Sequence, residues 1–161
     1  MNEQIEMSEK PESAVEHLYR MKEKGFLFHG TGFEGTIESF IPRKANDPND
    51  EWNSDTAVYA TNEPVLSTIF AVYKGKESWG TQTASNEKGI VKVIAKIPAT
   101  YRKELEKEFG YVYVLPPTSF SRRDVHDPQF KSLVEVTPIE RIVVTLNDYL
   151  SMGGTIEWTN K

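Results

Sequence analysis

No cysteine occurs among the 161 residues, which excludes disulfides, zinc thiolates and a thiol nucleophile and suits a reducing compartment. Only three histidines are present, so imidazole chemistry must rest on His17, His29 or His126. No apolar run approaches the roughly 20 residues of a spanning helix. The opening stretch MNEQIEMSEKPES is acidic and polar, without the positive-then-apolar order of a secretory signal. The expectation is a cytoplasmic protein with no membrane partner. Positive charge is also scarce: 19 Lys and Arg against 24 Asp and Glu leave a net charge of -5. A broad nucleic-acid footprint is therefore not favoured, although a local basic strip could still hold a phosphate.

What is present fits one domain over residues 1–161, with an N-terminal helix within 1–25 and a core over 26–161. PESAVEHLYRMKEKG places Ala14, Val15, Leu18 and Met21 on one helical stripe after a proline suited to a first turn, and stops at Gly25. GFLFHG and AVYATN read as short strands. Asn62 can cap the helix EPVLSTIFAVYKG, on which Val65, Leu66, Ile69, Phe70 and Tyr73 share a face. Two stretches read as loops, the acidic one ending NDPNDEWNSD and KESWGTQTASNEK. Strand candidates then dominate: GIVKVIAKIP, YVYVLPP, FKSLVEV, RIVVTL and TIEW. Early helices followed by strands without regular helical crossovers indicate an α+β fold on mainly antiparallel sheet, with the chemistry in a cleft.

His29 ends the apolar FLF and precedes Gly30 and Thr31. A glycine there lets another group approach the backbone, and Thr31 adds a hydroxyl. A histidine satisfied by hydrogen bonds near the core is the plain structural alternative. Tyr59 lies on the next strand candidate, where its ring could stack on a flat heterocycle or serve as a core tyrosine. Two basic pairs could meet phosphate oxygens: Arg43 with Lys44, and Arg122 with Arg123. The acidic loop lacks the central glycine and terminal glutamate of a calcium loop. His17 and His126 have no second imidazole or thiolate at ligand spacing, so no metal is expected, and no nucleophile elbow marks a serine hydrolase.

Taken in order, FLFHGT, then AVYATNEPVLSTIFAVY, then a strand-rich C-terminal half resemble the ADP-ribosyltransferase fold of the His-Tyr-Glu branch, the rifamycin ADP-ribosyltransferases most closely. The resemblance covers roughly residues 26 to 145. It implies split β-sheets with flanking helices around an NAD-sized cleft, with NAD as substrate and an unidentified small or macromolecular acceptor. It also implies that His29 holds the nicotinamide-side ribose, that the Gly30 backbone pairs with the carboxamide and that Tyr59 stacks on the nicotinamide.

The branch places a glutamate at the start of a late strand, before an aromatic residue. Here Gln129 precedes Phe130 at that position. A glutamine can hold a hydroxyl and brings no negative charge; Glu135, six residues on, brings the charge. On one regular strand the two would share a face about 20 Å from end to end, so both cannot serve one ribose. The expected function is mono-ADP-ribosyl transfer from NAD. The alternatives are a nucleotide- or protein-binding module without catalysis and an RNA 2'-phosphotransferase-like enzyme, the latter disfavoured by the acidic surface.

Overall fold

In the computed structural model the described residues are 11–44, 55–73, 80–86, 89–125 and 127–160. The expected acidic loop falls largely on 45–54 and His126 on a single omitted position, so both lie outside them.

Helix α1, Ala14–Glu23, starts one turn later than its proline suggested. Ser13 is the N-cap and forms a capping box with Glu16, satisfying two backbone N–H groups that the helix cannot. Gly25 follows the helix at φ +90°, a conformation that favours glycine. Strands β1, Leu27–Thr31, and β2, Arg43–Lys44, precede β3, Thr56–Thr61. Helix α2, Pro64–Val72, has Glu63 rather than Asn62 as its N-cap residue. Pro64 lacks an N–H and suits the first turn, while it forces Glu63 to be extended. The Asn62 N–H instead reaches the Pro128 carbonyl at 3.2 Å. The stripe expected on this helix is too narrow, because nearly every residue of α2 is buried and Phe70 is the exposed one, at 40%.

Part of the loop expected in KESWGTQTASNEK is β4, Gly80–Asn86, hairpin-paired with β5, Gly89–Pro98. After a short 3-10 turn (Ala99–Tyr101) come α3, Arg102–Leu105, β6, Phe109–Leu115, β7, Phe120–Arg122, β8, Gln129–Ser132, and β9, Glu140–Thr145. The chain then forms α4, Leu146–Ser151, started by a Thr145–Asp148 capping box, and β10, Thr155–Thr159. The architecture is mixed α+β and mostly antiparallel. One sheet runs β7-β8-β3-β1-β6-β9 with β2 on β3, and a second runs β10-β5-β4 with β10 and β5 parallel.

The two faces of the larger sheet differ. On one, Phe28, Val112 and Val114 pack with Ile69 and Val72 of α2, all fully buried, each side chain contributing about 1.5–3 kcal/mol through burial. The helix seats directly on two glycines. A Cβ on Gly30 would stand 1.9 Å from the Ser67 carbonyl oxygen, and one on Gly110 2.1 Å from that of Ala71. Gly30 thus serves close helix packing, and its bare side is filled by α2. On the other face Leu27, Val58, Ala60, Tyr113 and Leu115 form a smaller cluster closed by Phe40 and Val136.

Candidate functional site

Along β1 side chains alternate, so Phe28 and Gly30 face α2 while Leu27 and His29 face the smaller cluster. β1 keeps a five-residue register with β6 but pairs with β3 only at Phe28 and Thr61. The sheet therefore opens beyond Phe28, and His29 stands at the opening. Its Nδ1 lies 2.7 Å from the Tyr59 carbonyl oxygen. A carbonyl only accepts, so Nδ1 carries the proton and the neutral ring keeps Nε2 as an acceptor. Burial pushes the His29 pKa below 6.5, with the Arg43 charge acting in the same direction against the opposing Tyr59 bond.

The opening belongs to a cleft of about 550 Å³, within the range of small-molecule sites. His29, Thr31, Phe33, Ser39, Arg43 and Tyr59 are among its lining residues. Phe33 and Ile41 give it an apolar rim, 58% and 65% exposed. The Phe40 ring packs 4.8 Å from the imidazole and 5.2 Å from the Tyr113 ring. Tyr113 holds this wall through its hydroxyl, which accepts from the Ile37 N–H at 2.9 Å and donates to the Gly35 carbonyl at 3.4 Å. Arg141, stacked 4.1 Å over Tyr111, donates to the same Gly35 carbonyl at 3.2 Å.

Tyr59 alternates with Val58 and Ala60, so its ring lies on the opposite side of β3 from the smaller cluster. Its hydroxyl accepts from the Asp55 N–H at 3.0 Å, which anchors the ring along its own strand. His29 therefore meets the main chain of Tyr59. Of the two basic pairs, Arg43 and Lys44 reach the cleft because β2 pairs with β3 at Ala57 and Thr56, and Ala57 lies on its wall. Arg122 and Arg123 are engaged elsewhere: Arg122 donates through Nε to the Asp127 carbonyl at 3.1 Å and stacks 4.6 Å over Phe130, and Arg123 binds the Asp127 carboxylate at 2.8 Å.

The strand expected in FKSLVEV ends at Ser132, whose hydroxyl donates to the Val134 carbonyl at 2.9 Å and turns the chain. Gln129 and Glu135 thus sit on different segments. Gln129 opens β8 opposite Thr61, with its N–H bonded to the Asp127 carboxylate at 2.9 Å. Glu135 follows the turn, beside a two-bond bridge between Phe40 and Val136 (2.8 and 2.9 Å), and accepts a hydrogen bond from Ser39. Of the two, the structure links Glu135 to the cleft, through the Ser39 hydroxyl.

Ser39, Phe40 and Tyr113 were not singled out as site residues from sequence. Tyr113 lies in an apolar run that reads as plain core, and Ser39 and Phe40 lie on an irregular segment with no periodicity to place them. His17 is held by Glu140 at 2.6 Å on the helix-covered side. No cluster of three His, Cys, Asp or Glu side chains among the described residues is arranged to hold a metal ion. No helix among them is long and apolar enough to cross a membrane. Comparison with protein-family models, with curated proteins and with solved structures finds no match to this chain.

Proposed function

We propose that the chain has the ADP-ribosyltransferase fold and transfers ADP-ribose from NAD to an acceptor. The observation that carries this reading is the opening between β1 and β3, where a neutral imidazole held by the Tyr59 carbonyl keeps an accepting Nε2 in a cleft whose wall bears Arg43. A ribose hydroxyl donates to Nε2, the nicotinamide lies at the gap beside the Tyr59 main chain, and the pyrophosphate lies toward Arg43 and Lys44. Cleavage of the nicotinamide–ribose bond develops positive charge on the sugar. A carboxylate near that charge lowers the barrier by electrostatic stabilisation. Glu135, connected to the cleft through Ser39, is the candidate for that role, and Gln129 would contribute at most a hydrogen bond.

A second reading, a nucleotide-binding module without turnover, draws on Gln129, an uncharged side chain at the position where the resembling enzymes carry glutamate. NAD labelled in both nicotinamide and adenosine separates the two. An enzyme releases nicotinamide, and the release is lost in His29→Ala. Saturable binding without release supports the module, and neither binding nor release removes both readings.

A further inference from the structure

Ser39 stands at the wall of this cleft. Its hydroxyl donates to the Glu135 carboxylate, while Thr31, the other aliphatic hydroxyl lining the cleft, accepts from the Phe33 N–H at 3.1 Å and is oriented by that bond. The Ser39–Glu135 pair is held on a firm base. Its neighbours Phe40 and Val136 exchange both backbone hydrogen bonds, and the Phe40 ring packs against His29 at 4.8 Å. Ser39 thus immediately precedes the residue whose ring touches the candidate ribose holder. A serine hydroxyl is a weak nucleophile unless a base stands beside it, and the carboxylate supplies one.

We propose that Ser39 is a site of self-modification, an acceptor for ADP-ribose carried by the protein itself. This rests on the reading of the cleft as an NAD site. In the step, the Ser39 Oγ bonds to C1' of the nicotinamide-side ribose as the bond from C1' to the nicotinamide ring nitrogen breaks. The electron pair of the broken bond leaves with nicotinamide, which becomes neutral. The Ser39 proton passes to Glu135 and from there to water. The product is an O-glycoside on Ser39, and no oxidant or reductant takes part.

The test is to incubate the whole chain with NAD and locate any added ADP-ribose by fragmentation mass spectrometry. The expected result is one ADP-ribose on Ser39, stable to neutral hydroxylamine as an O-glycoside is. The label should be absent in Ser39→Ala, and its rate of appearance should fall about a hundredfold in Glu135→Gln, the lower end of what a positioned base contributes. Nicotinamide release with Ser39 unmodified overturns the inference and leaves the transferase reading standing. Label that hydroxylamine removes, as from an ester on Glu135, also overturns it. If the chain neither binds nor cleaves NAD, the reading beneath it falls as well.

Discussion

His29 and Gly30 are neighbours in β1, yet they belong to different regions of the molecule. Gly30 faces α2, where a single methyl group would collide with the Ser67 carbonyl. His29 faces the cleft, half-buried, with its proton committed to Tyr59 and its other nitrogen left as an acceptor. The helix side is packed so closely that it has no tolerance for added volume. The cleft side keeps polar atoms and open space, which dense packing would have removed. The contrast teaches that neighbours in a short motif can answer to different demands: the glycine of His-Gly-Thr meets a close helix, and the histidine stands polar at an opening.

The largest effect should come from the packed side. Gly30→Ala drives a Cβ into a backbone carbonyl that cannot rotate away, so unfolding in denaturant should show a loss of about 3 kcal/mol or more, at the upper end of overpacking costs. A stable Gly30→Ala protein would break the comparison. Next in size, His29→Ala should weaken NAD binding by calorimetry by about 10- to 30-fold, since one hydrogen bond to ligand and the ordering of Tyr59 are lost together. Its thermal midpoint should fall much less than that of Gly30→Ala.

Tyr113→Phe deletes the hydroxyl that holds Ile37 and Gly35, and should cost about 1 kcal/mol of stability while raising KM for NAD more than it lowers kcat. Equal loss in both would point to damage beyond the wall. A paired measurement sharpens the cleft further. Arg43→Ala should reduce NAD affinity by about tenfold, the worth of one charge-assisted bond, and that loss should shrink in added salt. Arg122→Ala, whose guanidinium serves Asp127 and Phe130, should leave affinity unchanged.

The smallest effect concerns protonation. Burial holds the folded pKa of His29 below 6.5, so as pH falls from 6.5 the unfolded chain takes up its proton first. Stability contributed by the neutral imidazole is therefore full above pH 6.5 and is lost between that value and the lower folded one. NMR titration of the labelled imidazole should place its midpoint below 6.5, and Arg43→Ala should move it slightly upward.

Much of the fold was legible where one periodicity ruled. The alternation in GIVKVIAKIP gave β5, the stripe of Leu18 and Met21 gave α1, and Gly25 marked its end. The failures have physical causes. GTQTASN has little apolar content and forms β4 because β5 offers it a partner edge; the strand in FKSLVEV is cut by the Ser132 side chain bonding its own backbone. For the site, His29 and Tyr59 are readable on short strand candidates, and Arg43 only as one of two basic pairs on an irregular stretch. Ser39, Phe40 and Tyr113 were not, because what joins them is a bridge to Val136 and a hydroxyl reaching 76 positions along the chain.

By itself the sequence determined the local matters: which segments bury an apolar face, where caps and glycines stop them, and that a histidine and a tyrosine lie on two short strands. Those follow from side-chain spacing and backbone sterics, which act over a few residues. Only the tertiary structure decided that β1 and β3 part after one pair, that Arg43 rather than Arg122 stands in the resulting cleft, and that Glu135 reaches it through Ser39. Such choices depend on which distant segments pack together, and packing is settled by the whole core at once.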